Sequence, residues 1–240
     1  MWGYTLSLRL PTDRISRYHV DMSQVISEIR PSTRNPARAS ILVDGKWVVS
    51  LTHVQVAELG LQAGMPWNDR LLAKISHTKA YDKAMKSAMN RLNRRPMSRR
   101  QLQNKLLEKG HDPAIVTQVL DKVQAIGALN EDTYAQALAR EYTLHRHAGP
   151  AMLRVKLRAK GIDKQVIDRI VAEFEQSDVQ FEQALRLAKK KVRSMKRLDG
   201  PTRKRRLWGA LARRGYGRDA IEAAMQQVLQ DHDDDDYGMA

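Results

Sequence analysis

The sequence predicts a mainly α-helical protein: tandem three-helix repeats in an elongated, curved array, preceded by a small N-terminal α+β extension that contains a β-hairpin. Three observations predict this fold. The phrase "LLEKGHDPAIV" at 106–116 recurs as "LRAKGIDKQVI" at 157–167 and as "LARRGYGRDAI" at 211–221. The N-terminal third alternates apolar and polar residues around an Asp-Gly pair. From about residue 68 onward, apolar residues recur at helical intervals instead.

The N-terminal third predicts a small sheet. In "ASILVDGKWVVSL" at 39–51, two apolar runs flank Asp44-Gly45, a dipeptide that supplies the positive φ angles of a type I′ turn. A hairpin alone is marginally stable, so "QVISEIR" at 24–30 is predicted to add a third strand. A short helix and a glycine-punctuated loop follow in "THVQVAELGLQAGMPWND". We expect this subdomain at 22–77, behind a poorly ordered extension at 1–21.

Each copy of the phrase predicts a helix, a tight turn and a second helix. A glycine, Gly110, Gly161 or Gly215, is predicted to cap the first helix of each copy. Leucines four and eight positions before each glycine share one helix face and predict a buried stripe. These are Leu102 and Leu106, Leu153 and Leu157, and Leu207 and Leu211. Asp112 and Asp163 are predicted to cap the second helices of the first two copies.

A third helix follows each of the first two copies, which predicts a three-helix module. Asn130 is placed to cap "EDTYAQALAREYTL", and "DVQFEQALRLAKKKVRSM" repeats this arrangement after the second copy. Ser98 with Gln101 predicts a capping box at the start of the first phrase. We therefore expect a first module with its lead-in helix at 78–147, a second at 148–198, a third at 199–230 and an acidic disordered tail at 231–240.

The charge balance indicates a polyanionic partner. The chain carries 42 Lys and Arg against 27 Asp and Glu, a formal net charge of +15. The alternative is a solvated surface that keeps the protein soluble. No cysteine is present, which excludes disulfides, thiolate zinc sites and cysteine nucleophiles. No apolar run is long enough to span a membrane, so we expect a cytoplasmic protein without membrane contact.

Basic residues of the modules are the candidate contacts to nucleic acid. The stretch "KKKVRSMKRLDGPTRKRR" at 189–206 holds ten Lys or Arg against one acid, Asp199, and a phosphate backbone explains such self-repelling charge. Some cations have a structural alternative, since the dipole favours them in the last turn of a helix. The candidates are Arg94, Arg95, Arg99, Arg100, Lys105, Arg154, Arg158, Lys160, Lys189, Lys190, Lys191, Arg193, Arg203, Lys204, Arg205, Arg206, Arg213 and Arg214.

Aromatic and acidic residues refine this expectation. Aromatic residues make up only 5% of the chain, so we expect contacts mainly with phosphates and no base-stacking platform. The aspartate run at 231–236 has two interpretations: a solvated end, or a mimic that competes with nucleic acid for the basic face.

Motifs of catalysis are missing from the sequence. It contains no phosphate-binding Gly-Lys-Ser/Thr loop, no Rossmann glycine fingerprint and no His-Glu-x-x-His helix. His145 and His147 are two positions apart, which places them on different helix faces and argues against a metal site. We therefore expect a non-enzymatic protein with no cofactor and no metal.

The order and spacing of the repeats resemble the RecX family, regulators of the RecA recombinase. The resemblance rests on "SRRQLQNKLLEKG" at 98–110, "IGALNEDTYA" at 126–135, "GPAMLRVKLRAKGID" at 149–163 and "LARRGYGRDAI" at 211–221, and covers about 22–229. "ARASILVDGKWV" at 37–48 is similar to the β-containing extension of longer members. The first 21 residues and the aspartate-rich end depart from the family pattern.

The resemblance implies a function in homologous recombination, DNA repair and the SOS response. It implies a protein that lodges in the helical groove of the RecA–DNA filament and blocks filament extension or promotes disassembly, which damps strand exchange, RecA ATPase and coprotease activity. The expected partners are RecA and single-stranded or duplex DNA, bound by a monomer. No catalytic residues transfer, because the family has none.

Two alternative functions stay open at this stage. One is a helical DNA-binding transcription regulator, since a helix-turn-helix unit can place a recognition helix in the major groove. Against it, we expect a reader to need one or two recognition helices with base-reaching side chains, and Gln165 and Asp168 of the second unit are not matched as a pair in the other units. The other alternative is a purely structural adaptor.

Overall fold

A computed structural model describes residues 24–176, 178–195 and 197–237 of the chain, with side chains up to residue 230. The extension predicted at 1–21 lies outside these ranges. The chain divides into two compact units, one that ends at Lys83 and one that begins at Ala84. The predicted fold class is confirmed: a small antiparallel sheet comes first, and helices make up most of the rest of the described chain.

Three antiparallel strands form the sheet of the first unit. They are β1 (Ile26–Pro31), β2 (Arg38–Val43) and β3 (Lys46–Thr52), in the order β1-β2-β3. The turn between β2 and β3 has φ angles of 47° at Asp44 and 76° at Gly45. These strands and angles confirm the predicted hairpin, its turn and the third strand. Asp44-Gly45 suits the turn because only Gly and a few polar residues adopt positive φ angles readily.

One helix and the start of another complete the core of the first unit. Helix α1 (His53–Glu58) begins with a capping box between Thr52 and Gln55, and the next helix, α2, spans Asp69–Leu92. The inner face of the sheet packs with Leu71 and Ile75 of α2 around the buried indole of Trp67. Burial of this apolar area stabilises the sheet. A hairpin without such a packed face would be only marginally stable.

The second unit is helical. After the end of α2, its helices are α3 (Arg99–Glu108), α4 (Pro113–Ala125), α5 (Glu131–Arg140), α6 (Pro150–Ala159), α7 (Lys164–Glu175), α8 (Asp178–Val192), α9 (Gly200–Ala212) and α10 (Arg218–Tyr237). Short irregular turns, a π turn at Glu141–His145 and a 3₁₀ turn at Arg193–Met195, extend α5 and α8. We call α3, α6 and α9 the phrase helices, since each carries the leucine pair of one copy of the phrase.

The repeated glycines follow the ends of the phrase helices and are not the terminal caps that the sequence predicts. In the first copy Lys109 is the terminal cap, and Gly110 follows it with a φ of 78°. The left-handed φ lets the Gly110 amide donate to the carbonyl of Leu107 at 2.9 Å and the His111 amide to that of Leu106 at 3.2 Å. Two carbonyls that the helix leaves unpaired are satisfied in this way.

Core packing groups the helices in threes. One apolar cluster joins α5, α6 and α7, and includes Ala135, Leu153 and Val171. Another joins α8, α9 and α10, and includes Leu187 and Leu211. The division predicted from sequence ended its first module with α5 and its second with α8. The packing instead groups α5 and α8 each with the phrase helix that follows it in sequence. The reason is that the apolar stripe of each helix faces that phrase helix.

The acidic run near the C-terminus continues a helix. Helix α10 extends to Tyr237, so helical backbone covers residues 231–236, where the sequence suggests a disordered tail. The preceding part of the helix buries Ile221, Ala224 and Val228 in the third core, which gives a stable base from which helix can propagate.

Candidate nucleic-acid interface

The phrase helices meet end to end through hydrogen bonds that we call joints. At the second joint, the amide of Gly149 donates to the carbonyl of Arg214 at 2.7 Å, and the amide of Ala151 donates to that of Gly215 at 3.1 Å. Pro150, between these donors, has no amide hydrogen to satisfy. The amides that begin α6 are therefore satisfied by the turn that follows α9, and not by a side-chain cap.

The first joint follows the same plan with a side chain in place of an amide. The hydroxyl of Ser98 donates to the carbonyl of Lys160 at 2.8 Å, and its oxygen also accepts from the amide of Gln101 at 3.2 Å. Ser98 is fully buried. One hydroxyl thus caps α3 and ties it to the C-terminal end of α6.

Close packing at the joints explains why two of the repeated glycines lack side chains. A Cβ on Gly215 would lie 2.4 Å from the backbone nitrogen of Met152, which is far inside van der Waals contact. A Cβ on Gly161 would lie 3.2 Å from Cβ of Arg100. Apart from its chain neighbours, no described residue lies within 4 Å of the Cβ position of Gly110, so in the first copy the glycine serves the turn alone.

The joints bring together basic residues that are far apart in sequence. Arg99 and Arg100 begin α3 directly after Ser98, which bonds Lys160 across a separation of 62 positions. At the second joint the guanidinium of Arg214 donates to the carbonyl of Arg146, 68 positions away. The structure therefore places positive charge from two phrases at each joint.

Arg146 is a basic joint residue that sequence reasoning missed. Its guanidinium lies 5.3 Å from the ring centroid of Tyr142 and pairs with Glu141 at 3.1 Å. A repeat signal could have found it: Arg146 precedes Gly161 by the same number of residues as the candidate Arg95 precedes Gly110.

Several candidate residues make contacts within the protein. Arg99 bonds Asp121 at 2.6 Å and Gln124 at 2.8 Å, while Lys105 pairs with Glu108 at 2.7 Å. Two further candidates reach other groups: Arg154 pairs with Asp168, and Arg203 donates to the carbonyl of Leu198 at 3.0 Å. Arg99 and Arg154 thus link neighbouring helices, and carboxylates already balance part of the charge of Arg99, Lys105 and Arg154.

The remaining candidates are exposed or half-buried. The exposed ones are Arg94, Arg95, Arg100, Arg158, Lys189, Lys190, Lys191, Arg193, Lys204, Arg205, Arg206 and Arg213, and Lys160 is half-buried. Lys189–Lys191 form the last turn of α8, where the helix dipole also favours cations. The sequence-predicted basic run is thereby divided between the end of α8 and the first half of α9.

Asp199 is the acidic residue at the centre of that run, and it has a structural role. Its carboxylate accepts a hydrogen bond from the amide of Thr202 at 3.0 Å and caps α9. That hydrogen bond lowers the pKa of Asp199 below its ordinary value, and the positive charge of Arg205 lowers it further. Asp199 therefore stays ionised near neutral pH and stabilises the start of α9, a helix with four basic residues and no acidic one.

Among the side chains that the structure describes, no three His, Cys, Asp or Glu residues lie close enough together to hold a metal ion. No helix in the described ranges combines the length and apolar character needed to cross a membrane.

Fold and surface together define a class of protein: tandem three-helix units, joined through their phrase helices, with clusters of basic side chains on the surface. Models of the RecX family divide the chain in the same way. The models described as the first, second and third three-helix domains of RecX match residues 84–122, 130–169 and 178–225, in this order. The chain belongs to the RecX family of regulatory proteins.

Similar proteins extend this finding over most of the chain. "Regulatory protein RecX" of Bacillus subtilis (strain 168) is 27% identical over 210 residues, which cover 88% of this chain and 79% of the relative. The protein of the same name from Clostridioides difficile (strain 630) is 27% identical over 205 residues, 85% of this chain and 96% of the relative. These names support a regulatory role of the RecX type.

Solved structures show the same fold. A structure described as "Crystal structure of regulatory protein RecX" superposes with a TM-score of 0.73 at 23% identity, over 85% of this chain and 99% of that one. RecX from Lactobacillus salivarius superposes with a TM-score of 0.60 at 19% identity, over 64% of this chain and 99% of that one.

Proposed function

We propose that this protein binds the RecA recombinase and the RecA–DNA filament, and inhibits filament growth, ATP hydrolysis and strand exchange. It would thereby damp homologous recombination, DNA repair and the SOS response. The observation that carries the proposal is the succession of three RecX three-helix domains along residues 84–225. The exposed basic residues add a physical reason, because a filament that carries DNA presents phosphates.

The joints give the proposal a mechanical basis. They link α3, α6 and α9 end to end by backbone and hydroxyl hydrogen bonds, so that the basic residues of successive phrases keep fixed positions relative to one another. A partner with regularly repeated phosphates or subunits can then contact several units at once. Multivalent contact of this kind raises affinity without any single strong site.

The helix that would read DNA bases in a transcription regulator has other contacts. In the second core α7 buries Ile167, Ile170 and Phe174. Asp168 of the same helix pairs with Arg154, so a base that used this carboxylate would compete with that ion pair. These contacts favour a regulator that binds phosphates and protein over a sequence-specific reader.

A RecA assay tests the proposal. The purified full-length chain is added to RecA on single-stranded DNA, and ATP hydrolysis and filament length are followed together. We expect inhibition at near-stoichiometric ratios, with shorter filaments. An unchanged rate and unchanged filaments would refute the proposal, and tight binding to one duplex sequence at moderate salt would favour the transcription regulator instead.

A further inference from the structure

Trp208 is an exposed aromatic residue on α9, a helix with four basic residues and no acidic one. Among the aromatic side chains that the structure describes, Trp47 and Trp208 are the two classed as exposed, and Trp208 is 36% exposed. Its neighbours Leu207 and Leu211 supply the buried stripe of α9, so the core is complete without the whole indole. The other phrase helices have Gln103 and Arg154 at the matching position, seven residues before their glycines.

Basic residues surround Trp208 on the helix surface. Lys204 and Arg205 precede it by four and three positions and therefore lie next to it on the same side of α9. Both are exposed. Arg213 follows Trp208 on the chain, and its guanidinium lies over Gly209. Its Nη1 atom is 3.1 Å from the position that a Cβ on Gly209 would occupy. An exposed indole is thus framed by three cations.

Gly209 opens the surface beside the indole. A glycine inside a helix is unfavourable, and here it has no positive φ to explain it. No core atom occupies the place of its missing side chain, since the atoms within 4 Å belong to the terminal group of Arg213. That flexible end can move, which leaves backbone that a ligand can approach closely.

We infer that this face of α9 binds single-stranded nucleic acid, with an unpaired base stacked on Trp208 and the adjoining phosphates held by Lys204, Arg205 and Arg213. Stacking and phosphate contacts together are the usual means by which proteins hold single strands without reading sequence. A duplex keeps its bases paired and stacked, so it cannot use the indole in this way. The inference rests on the nucleic-acid contact of the proposed function and names its strand preference.

Binding of a labelled oligothymidine, compared with a duplex of equal length, tests the inference without RecA. We expect W208A to weaken oligothymidine binding about tenfold and to leave its salt dependence unchanged, because stacking releases no counterions. W208F should keep most of the affinity. By contrast, K204Q and R205Q should weaken binding to both the oligothymidine and the duplex, and should flatten the salt dependence of both. V155A is the matched control, since Val155 is 61% exposed on α6 and carries no ring.

Intrinsic fluorescence adds a readout that a purely structural role would not change. Oligothymidine should quench part of the tryptophan emission of the wild type, and W208F should lose that part. Oligothymidine affinity of W208A equal to that of the wild type would overturn the inference. A loss of affinity in W208A that is equal for the duplex and for oligothymidine would also overturn it. Weaker binding of W208A to RecA with unchanged oligothymidine binding would overturn it too, since Trp208 would then be a protein contact. None of these outcomes alters the RecA assay of the wild type, which decides the proposed function separately.

Discussion

The second joint can be opened by a single methyl group. Gly149 has φ −79° and ψ 175°, a conformation that alanine adopts without strain. Its Cβ, however, would lie 2.5 Å from both the carbonyl carbon of Gly215 and the amide nitrogen of Tyr216. These are backbone atoms that no rotamer change can move. The substitution G149A must therefore separate the ends of α6 and α9 by about 1 Å.

The expected cost follows from the contacts that are lost. Two backbone hydrogen bonds, of 2.7 and 3.1 Å, cross this joint, and each contributes about 1 kcal/mol. Overpacking adds about 1–3 kcal/mol. We expect the free energy of unfolding to fall by about 3–5 kcal/mol, and the midpoint of thermal unfolding by roughly 6–20 °C for a chain of this size.

A second glycine supplies the control. Gly200 lies at the start of α9, and apart from its chain neighbours no described residue comes within 4 Å of its Cβ position, so G200A should change the unfolding midpoint little. Calorimetry measures both midpoints, and amide hydrogen exchange should show faster exchange at Ala151 in G149A alone. If G149A unfolds at the same temperature as G200A, the joint is not closed as the structure has it.

Three further predictions concern charge, capping and burial. Reversal of charge at Lys189, Lys190 and Lys191 should weaken DNA binding and reduce the slope of log affinity against log salt by about 3, whereas an unchanged slope would make this run a solvated face. S98A should lower the free energy of unfolding by about 1–3 kcal/mol, because the cap and the first joint are lost together. Denaturant titration measures this loss, and S194A, a substitution at an exposed serine, is the control. Burial raises the pKa of Tyr216, whose hydroxyl has no hydrogen-bond partner among the described residues. The phenol therefore ionises in the unfolded chain first, at a pH of about 10, and the free energy of unfolding should fall as pH rises above that value. Y216F should remove that alkaline loss, and an unchanged pH profile of unfolding would contradict the reasoning.

The helices and turns were accessible from sequence because their causes are local. Asp44-Gly45 produces the hairpin turn, and Asn130 and Asp112 cap the helices that follow them. The leucine pairs predicted as core are fully buried. In each case the cause lies within a few residues of its effect.

The candidate interface was only partly accessible from sequence. Charge counting put Arg154 and Lys190 in one set, yet Arg154 pairs with Asp168 across two helices while Lys190 is exposed. A low aromatic content suggested phosphate contacts alone, and it overlooked the position of Trp208, since composition does not tell which few rings remain on the surface.

The sequence by itself determined the type of each element, the repeat and the family resemblance, because periodicity, caps and turn residues act over one or two turns of chain. Only the tertiary structure decided which three helices share a core, and that Gly161 and Gly215 serve as contacts between phrase helices as well as turns. It also decided which cations are balanced internally. The joints connect residues about 60 positions apart, and the shared cores and ion pairs mostly connect different helices. Their approach is set by the packing of whole helices and leaves no local signal.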